Sequence, residues 1–158
     1  MTVIRIIALS GSLRAASMNT ALLRAVAASA PAGVSVEIFP LGEIPLFNPD
    51  LEASPPDMVA RFRARVGEAD GMIIASPEYA HGIGGVLNNA LDWLVGYENF
   101  AGTPVQVLNA APRAHHGVAA LREVLATMSA QFIDENPLAT SGDYPALVKL
   151  LASKGSLS

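Results

Sequence analysis

Along the chain, short runs of hydrophobic residues alternate with segments in which hydrophobic residues recur every three or four positions. This alternation predicts strands and helices in turn. Five short apolar runs have the length and branched composition of β-strands. They lie at residues 3–9, 34–39, 71–75, 104–108 and 131–134. Between them apolar residues return every three or four positions, as in amphipathic helices. These predicted helices cover residues 20–30, 57–68, 83–95 and 118–128, with a possible short helix at 144–152.

The alternation of strand and helix predicts a doubly wound parallel sheet with helices on both faces. In the second strand Val34, Val36 and Ile38 alternate with more polar neighbours, which is typical of an edge. The first and third strands are apolar throughout, so the pattern favours the order 2-1-3-4-5. We find no linker or repeat and predict one domain over residues 1–158.

In that order the winding reverses between the first and third strands. Ligands of such sheets bind outside the carboxyl ends of the strands at this switch point. The two loops that follow these strands cover residues 10–20 and 76–82. They are therefore the predicted site.

The first of these loops is dense in hydrogen-bond donors. It carries hydroxyl, amide and guanidinium side chains on Ser10, Ser12, Arg14, Ser17, Asn19 and Thr20. It leads into a helix N-terminus, where backbone N–H groups and the helix dipole favour an anion. An ordinary N-cap would explain Ser17 or Asn19 alone, so we favour a phosphate site. Neither the Walker pattern nor Gly-x-Gly-x-x-Gly is present.

The second loop suits a flat ring. Pro77 fixes one backbone angle, and the nearby Gly82, Gly84 and Gly85 permit close backbone approach. Backbone polar groups here can bond the edge of a heterocycle, with Tyr79 as an aromatic wall. A planar ring joined by a polyol to a monophosphate spans both loops, which predicts flavin mononucleotide (FMN). The alternative is a glycine-rich connector in which Tyr79 only covers the surface.

Composition narrows the class. The chain is 51% hydrophobic and only 15% charged, as expected for a folded domain rather than a disordered one. A net charge of −4 without a basic stripe argues against nucleic acid, and no apolar run is long enough for a bilayer. Zero cysteines exclude disulfides and thiol catalysis. The N-terminus enters a strand without signal-peptide features, so we expect a cytoplasmic protein.

Three segments of the sequence resemble motifs of a known protein family. They are Gly11-Ser12-Leu13-Arg14 with Ser17 and Asn19, then Ser76-Pro77-Glu78-Tyr79, then Leu87-x-Asn89-Ala90-Leu91-Asp92-Trp93. Over roughly the first 110 residues the chain resembles the NAD(P)H-dependent FMN reductase family, whose relatives include quinone, azo-dye and chromate reductases. The resemblance implies a flavodoxin-like fold, non-covalent FMN, and NADPH or NADH as reductant. It also implies a homodimer, or a dimer of dimers, with active sites between subunits.

The resemblance places the FMN phosphate in the first loop and the isoalloxazine ring in the second. The predicted cofactor-binding residues are Ser10, Ser12, Arg14, Ser17, Met18, Asn19 and Thr20, then Pro77, Glu78, Tyr79, Ala80, His81 and Gly82. We predict no catalytic side chain and no metal ligand, because the flavin carries the chemistry. Glu78 is interpreted as an acceptor for backbone N–H groups rather than as an acid. Trp93 is interpreted as a core or subunit contact.

The chain departs from the family's pattern at several positions. The family often has Asn where Ala80 stands, Gly near His81, Pro at Gly84 and Lys at Asn88. The third loop, residues 109–117, lacks the Gly-Gly of many relatives. Adjacent histidines can bind metal, but His115 and His116 have no further ligand at a suitable spacing. We interpret them as surface or pocket-rim groups near the start of the fourth helix.

Three functions are compatible with the sequence. The first is a reductase that passes a hydride from nicotinamide through FMN to a small acceptor, such as free flavin, a quinone, an azo compound or chromate. The second is an electron carrier without a substrate of its own. The third is a phosphosugar- or nucleotide-binding module without flavin. The mild net charge and the reductase-like motifs favour the first over the second.

Overall fold

The strands and helices of the computed structural model follow the predicted order, and the structure describes residues 3–111, 113 and 115–133. The strands are β1 (Ile4–Ser10), β2 (Val34–Phe39), β3 (Gly71–Ala75), β4 (Glu78–Tyr79), β5 (Gly82–Ile83), β6 (Pro104–Leu108) and β7 (Gln131–Phe132). The helices are α1 (Met18–Ala28), α2 (Asp57–Glu68), α3 (Gly85–Val95) and α4 (His115–Thr127). Short 3-10 turns occupy Leu41–Glu43, Pro49–Leu51 and Glu98–Phe100.

Five of the strands form one parallel sheet in the order β2-β1-β3-β6-β7. Since β6 and β7 are the fourth and fifth strands of this sheet, the predicted order 2-1-3-4-5 is confirmed. The fold is flavodoxin-like. Ser10 pairs with Ala75 at the carboxyl ends of β1 and β3. The loops that follow these two strands therefore leave the sheet side by side.

The core lies on both faces of the sheet. On β1, Ile7 and Leu9 face the cluster that includes residues of α2, α3 and α4. Ile6 and Ala8 face the opposite cluster, to which α1 contributes. This alternation follows from the two-residue period of a strand. The prediction of helices on both faces is confirmed for the described residues.

Several predicted boundaries were wrong by a few residues. Helix α1 begins at Met18 rather than residue 20, because Ser17 is its N-cap. Helix α3 begins at Gly85 rather than 83, because Gly82–Ile83 pairs as a strand. Helix α4 begins at His115, so the third loop is shorter than predicted. The last residue of the predicted fifth strand, 134, and the predicted helix at 144–152 lie outside the described residues.

The long loop before α2 is anchored by side chains of α3. Asn89 accepts a hydrogen bond from the Phe47 backbone N–H at 2.7 Å and donates to the Pro45 carbonyl at 3.0 Å. The Trp93 indole N–H donates to the same Pro45 oxygen at 2.8 Å, and its ring packs edge-on against Phe47. Trp93 is fully buried, as expected for a core contact. Within the described ranges, the helices lack the length and apolar character needed to cross a membrane.

Candidate functional site

The two predicted loops meet at a glycine. The Gly11 backbone N–H donates to the Ala75 carbonyl at 2.9 Å. A Cβ atom at Gly11 would lie only 2.9 Å from Ser76 Oγ and 3.0 Å from Pro77 Cδ. These separations are too short for a side chain, so the first residue of one loop packs directly on the first residues of the other.

A cleft of about 430 Å³ opens beside this junction. Its lining consists of Ser12, Arg14, Ala16, Ser17, Met18, Asn19, Pro77 and Tyr79. Both loops contribute, so the structure brings together predicted residues that are far apart in sequence. Ala16 was not predicted, because its methyl side chain carries no chemical signal. The volume is within the range of small-molecule and cofactor sites.

The first loop presents several free donors to the cleft. Ser17 Oγ accepts from the Thr20 backbone N–H at 3.2 Å, so its hydroxyl proton remains available to donate. The first turn of α1 leaves the N–H groups of Met18 and Asn19 without intrahelical partners. The exposed Arg14 forms no ion pair with any described residue. Donors without partners at a helix N-terminus favour an anion.

Asn19 gives independent evidence for a missing partner. The side chain is only 9% exposed, and its Oδ1 is buried without a hydrogen bond from any described residue. Buried polar atoms are nearly always paired. A ligand hydroxyl that donates to Oδ1, or a phosphate oxygen that accepts from the rotated amide, would complete this group.

Ser10 and Thr20 lie on the other side of the loop. Their hydroxyl oxygens are 2.8 Å apart, and Ser10 Oγ also accepts from the Ser12 backbone N–H at 3.3 Å. Both residues line a separate cavity of about 230 Å³ that also touches Leu13 and Phe39. In this structure they shape the loop from behind rather than line the cleft.

The second loop contains a hairpin that was not predicted. Strands β4 and β5 pair antiparallel through Glu78 with Ile83 and Tyr79 with Gly82. The two turn residues, Ala80 and His81, have φ angles of 48° and 62°. Positive values at both positions define a type I′ turn, which favours Asn-Gly. Ala-His lacks that signal, so the sequence alone did not indicate a hairpin.

Tyr79 is the hairpin residue that lines the cleft. It is 57% exposed, which is unusual for a large aromatic side chain. A Cβ at Gly84 would lie 3.3 Å from the ring carbons Cδ2 and Cε2 and 3.1 Å from the Gly11 carbonyl. The glycine therefore lets the ring lie close against the backbone at the start of α3.

Glu78 supports the hairpin from behind. Its Oε2 accepts from the Gly117 backbone N–H at 2.6 Å, in the first turn of α4. This bond confirms that Glu78 accepts from a backbone N–H group. A Cβ at Gly117 would lie 3.0 Å from Glu78 Cβ and 3.2 Å from the Gly82 carbonyl, so hairpin and helix are in close contact. Glu78, Ala80, His81 and Gly82 are not part of the cleft lining.

The histidines gather where the hairpin meets α4. The rings of His81 and His116 are stacked at 4.2 Å with an interplanar angle of 22°. The His115 and His116 rings are 4.1 Å apart and tilted by 37°. All three side chains are exposed, and His115 and His116 are the first two residues of α4. In the described part of the chain, no group of three or more metal-ligating side chains could hold an ion.

Fold and cleft together define a class: a flavodoxin-like α/β protein with an anion-favouring loop and an aromatic wall at its switch point. The family profile for NADPH-dependent FMN reductases matches residues 4–144. The chain belongs to this family.

Individual relatives support that assignment. The chain is 36% identical over 138 residues to the NAD(P)H-dependent FMN reductase PA1204 of Pseudomonas aeruginosa, covering 85% of this chain and 74% of that protein. It is 35% identical over 114 residues to a quinone reductase of Pseudomonas putida, covering 70% of this chain but only 61% of that protein. The chain thus spans about three fifths to three quarters of the length of these two relatives.

A solved structure agrees in fold. The flavoenzyme NAD(P)H:(acceptor) oxidoreductase FerB of Paracoccus denitrificans superposes with a TM-score of 0.79. The alignment covers 98% of this chain and 94% of FerB, at 23% sequence identity. At that identity the likeness establishes the flavodoxin-like fold.

Proposed function

We propose that the protein is an NAD(P)H-dependent reductase that holds FMN in the cleft and reduces a small acceptor. The observation that carries the proposal is the junction at Gly11, which joins a loop of free donors to a loop with an exposed aromatic ring around one cleft. Family membership and relatives named FMN reductase and quinone reductase support the same activity. The chemistry that FMN supplies is acceptance of a hydride from nicotinamide and reduction of the acceptor.

The first loop fits the phosphate end of FMN. Arg14 would supply a charged donor, while Ser12 and Ser17 would supply hydroxyls and the first turn of α1 its backbone N–H groups. Asn19, whose buried Oδ1 has no partner among the described residues, lines the same cleft. Since none of these groups is committed to a strong protein partner, phosphate binding costs little rearrangement.

The second loop fits the ring end. Pro77 and Tyr79 are the residues that this loop contributes to the lining of the cleft. The hairpin places its backbone polar groups beside these two residues, where those groups can bond a heterocycle edge. Two large side chains that line the cleft are largely exposed, namely Met18 and Tyr79 at 66% and 57%. Such a rim is suited to covering the apolar part of a flat cofactor and to excluding water from it.

Arg14→Ala tests the phosphate assignment. A hydrogen bond to a charged group contributes about 1.5–3 kcal/mol. The FMN dissociation constant should therefore rise roughly 10- to 100-fold in this variant. Riboflavin has the same ring without the phosphate, so its affinity should barely change. Arg24→Ala removes the same charge from an exposed position of α1 outside the cleft and serves as the control.

The two ligands, FMN and riboflavin, distinguish a wrong phosphate assignment from a wrong cofactor. If Arg14→Ala and Arg24→Ala bind FMN as tightly as the wild type, the phosphate assignment is wrong. If wild-type protein binds neither FMN nor riboflavin, the proposed cofactor itself is wrong.

Reduction by nicotinamide tests the activity. Anaerobic NADPH or NADH should bleach the visible absorption of the FMN-loaded protein, and addition of a quinone should restore it. Spectra that stay oxidised with both nicotinamides would leave only an electron carrier. The same experiment, run with quinone, free flavin, an azo dye and chromate in turn, ranks the acceptors.

We also propose a homodimer, alone or as half of a tetramer, in which α3 and α4 meet a second copy. Support comes from the sparse charge of these helices, since Asp92 is the one charged residue of α3. Sedimentation at micromolar concentration should give twice the monomer mass for a dimer or four times for a tetramer, and a monomer would refute the proposal. We propose a cytoplasmic location, where reduced nicotinamides are supplied, which cell fractionation can check.

A further inference from the structure

The hairpin is too small to hold its own shape. It has two residues in each strand, and isolated hairpins are marginal in water even when longer. Its turn also places Ala80 and His81 in the left-handed region, which is unfavourable for residues with a Cβ. Such strain persists only where surrounding contacts impose it.

Those contacts come from α4. At the base of the hairpin, Glu78 accepts from the Gly117 N–H at 2.6 Å. At its tip, the His81 ring stacks on His116 at 4.2 Å. The base contact is a hydrogen bond, whereas the tip contact joins two side chains that can each gain a proton. Histidine is the residue whose charge changes between about pH 5 and 8.

We propose that the His81–His116 stack is a proton-sensitive latch that positions the hairpin, and with it Tyr79, beside the cleft. When both rings are neutral they stack and hold the strained turn against α4. When both carry a proton, two like charges about 4 Å apart repel each other and the hairpin tip separates from the helix. This deepens the proposed function, because Tyr79 belongs to the wall assigned to the flavin ring.

Charged and titratable groups surround the two stacked rings on both elements. The hairpin contributes Glu78 and Tyr79, and the start of α4 contributes His115 and, just before it, Arg113. Arg113 and the positive end of the α4 dipole stay beside His116 in both positions of the hairpin, but they repel a positive charge on His81 only while the hairpin is docked. Glu78 acts in the opposite sense, but its carboxylate is already bonded to Gly117. The balance favours release of the latch as the pH falls.

The Gly117 amide reports directly on hairpin docking, because it donates to Glu78. Its hydrogen-exchange protection can be measured by NMR in protein without flavin, at about pH 8 and about pH 5.5, with correction for intrinsic exchange. The lower value stays above the range in which carboxylic acids ordinarily gain protons. We expect protection to fall about fivefold in the wild type, the factor that two unit charges at this separation give in water.

Two substitutions isolate the proton from the stacking. His81→Phe keeps an aromatic ring against His116 but cannot be protonated, so protection should stay high at both pH values. His81→Ala removes the stack, so protection should be low at both. His115→Ala leaves the pair intact and should keep the wild-type fall. If His81→Phe does not fold, His116→Phe provides the same test from the other ring.

Each outcome bears on the latch. Equal wild-type protection at both pH values overturns it, and so does an unchanged fall in His81→Phe. Protection of His81→Ala equal to the wild type at about pH 8 shows that the stack does not hold the hairpin, and also overturns it. Because these measurements use flavin-free protein, they stay separate from the Arg14 titrations that test the proposed cofactor.

Discussion

The anchoring of the long loop by Asn89 predicts a large effect from a small substitution. Asn89→Ala removes the acceptor for the Phe47 N–H at 2.7 Å and a donor to the Pro45 carbonyl at 3.0 Å. A third contact, to the Ile44 carbonyl at 3.5 Å, is too long to matter much. The Pro45 oxygen keeps its bond from Trp93, whereas the Phe47 N–H loses its partner.

The expected cost follows from that difference. A buried donor left without a partner costs about 1–3 kcal/mol, and a lost bond whose acceptor keeps another donor costs about 0.5–1.5 kcal/mol. Because Asn89 and Phe47 are half-buried, water replaces part of the loss. We therefore expect the free energy of unfolding to fall by about 2 kcal/mol. For a chain of this length the melting temperature should fall by roughly 4–8 °C.

The neighbouring Asn88 is a matched control. It lies on the same helix, is exposed, and its side chain makes no hydrogen bond to a described residue. Asn88→Ala gains the same helix propensity without losing a contact, so its stability should stay within about 0.5 kcal/mol of the wild type. Urea unfolding of the two variants, followed by Trp93 fluorescence, measures the difference. Equal stabilities for the two variants would refute the anchoring argument.

A double substitution sharpens the test. In Asn89→Ala the Pro45 carbonyl still accepts from Trp93, and in Trp93→Phe it still accepts from Asn89. Only the double variant leaves that oxygen without either donor. The combined loss should therefore exceed the sum of the single losses by about 1 kcal/mol. Because Trp93→Phe removes the one tryptophan of the sequence, urea unfolding of these variants is followed by far-UV circular dichroism. Simple additivity would mean that the shared carbonyl has no energetic role.

Two further predictions follow from close contact and from burial. Gly11→Ala puts a methyl group 2.9 Å from Ser76 Oγ, so it should lower the free energy of unfolding by about 1–3 kcal/mol and weaken FMN binding. Gly85→Ala has open space around its Cβ and should leave stability unchanged or raise it. Equal effects of the two substitutions would refute the role of the loop junction. Burial raises the pKa of Asp92 above its ordinary value of 3.8, so the native state holds this proton more tightly than the unfolded chain. The stability that this proton contributes is present at low pH and is lost as the pH rises through the raised pKa. Asp92→Asn should therefore melt at a higher temperature than the wild type at neutral pH and lose that advantage below about pH 4. A difference in melting temperature that stays constant across the pH range would contradict this.

The sheet could be predicted because its signals are local and redundant. The edge position of β2 is visible in its alternation, and the buried position of β1 and β3 in their continuous apolar runs. Strand order then fixes the switch point, and the switch point selects the two loops. The donors of the first loop are equally visible, since their side chains are polar.

The sequence could not show which polar groups point to the cleft. Ser10 and Ser12 are both serines of the predicted first loop, yet Ser10 ends β1 and bonds Thr20, whereas Ser12 lines the cleft. Asn88 and Asn89 are likewise identical in type, but only Asn89 shares a helix face with Trp93, four residues later, and reaches the long loop. Orientation depends on helix phase and on what lies opposite, which composition does not record.

The turn of the hairpin and the start of α4 meet in one contact. Asn-Gly adopts a type I′ turn readily, whereas Ala80 and His81 carry side chains for which the left-handed backbone of this turn is less favourable. His116 lies in the first turn of α4. The His81 ring stacks on the His116 ring, and under the proposed latch this contact offsets the cost of the turn. Under the proposed latch, the position of the hairpin depends on α4 as well as on its own turn, so the Tyr79 side of the cleft responds to a helix that does not line it.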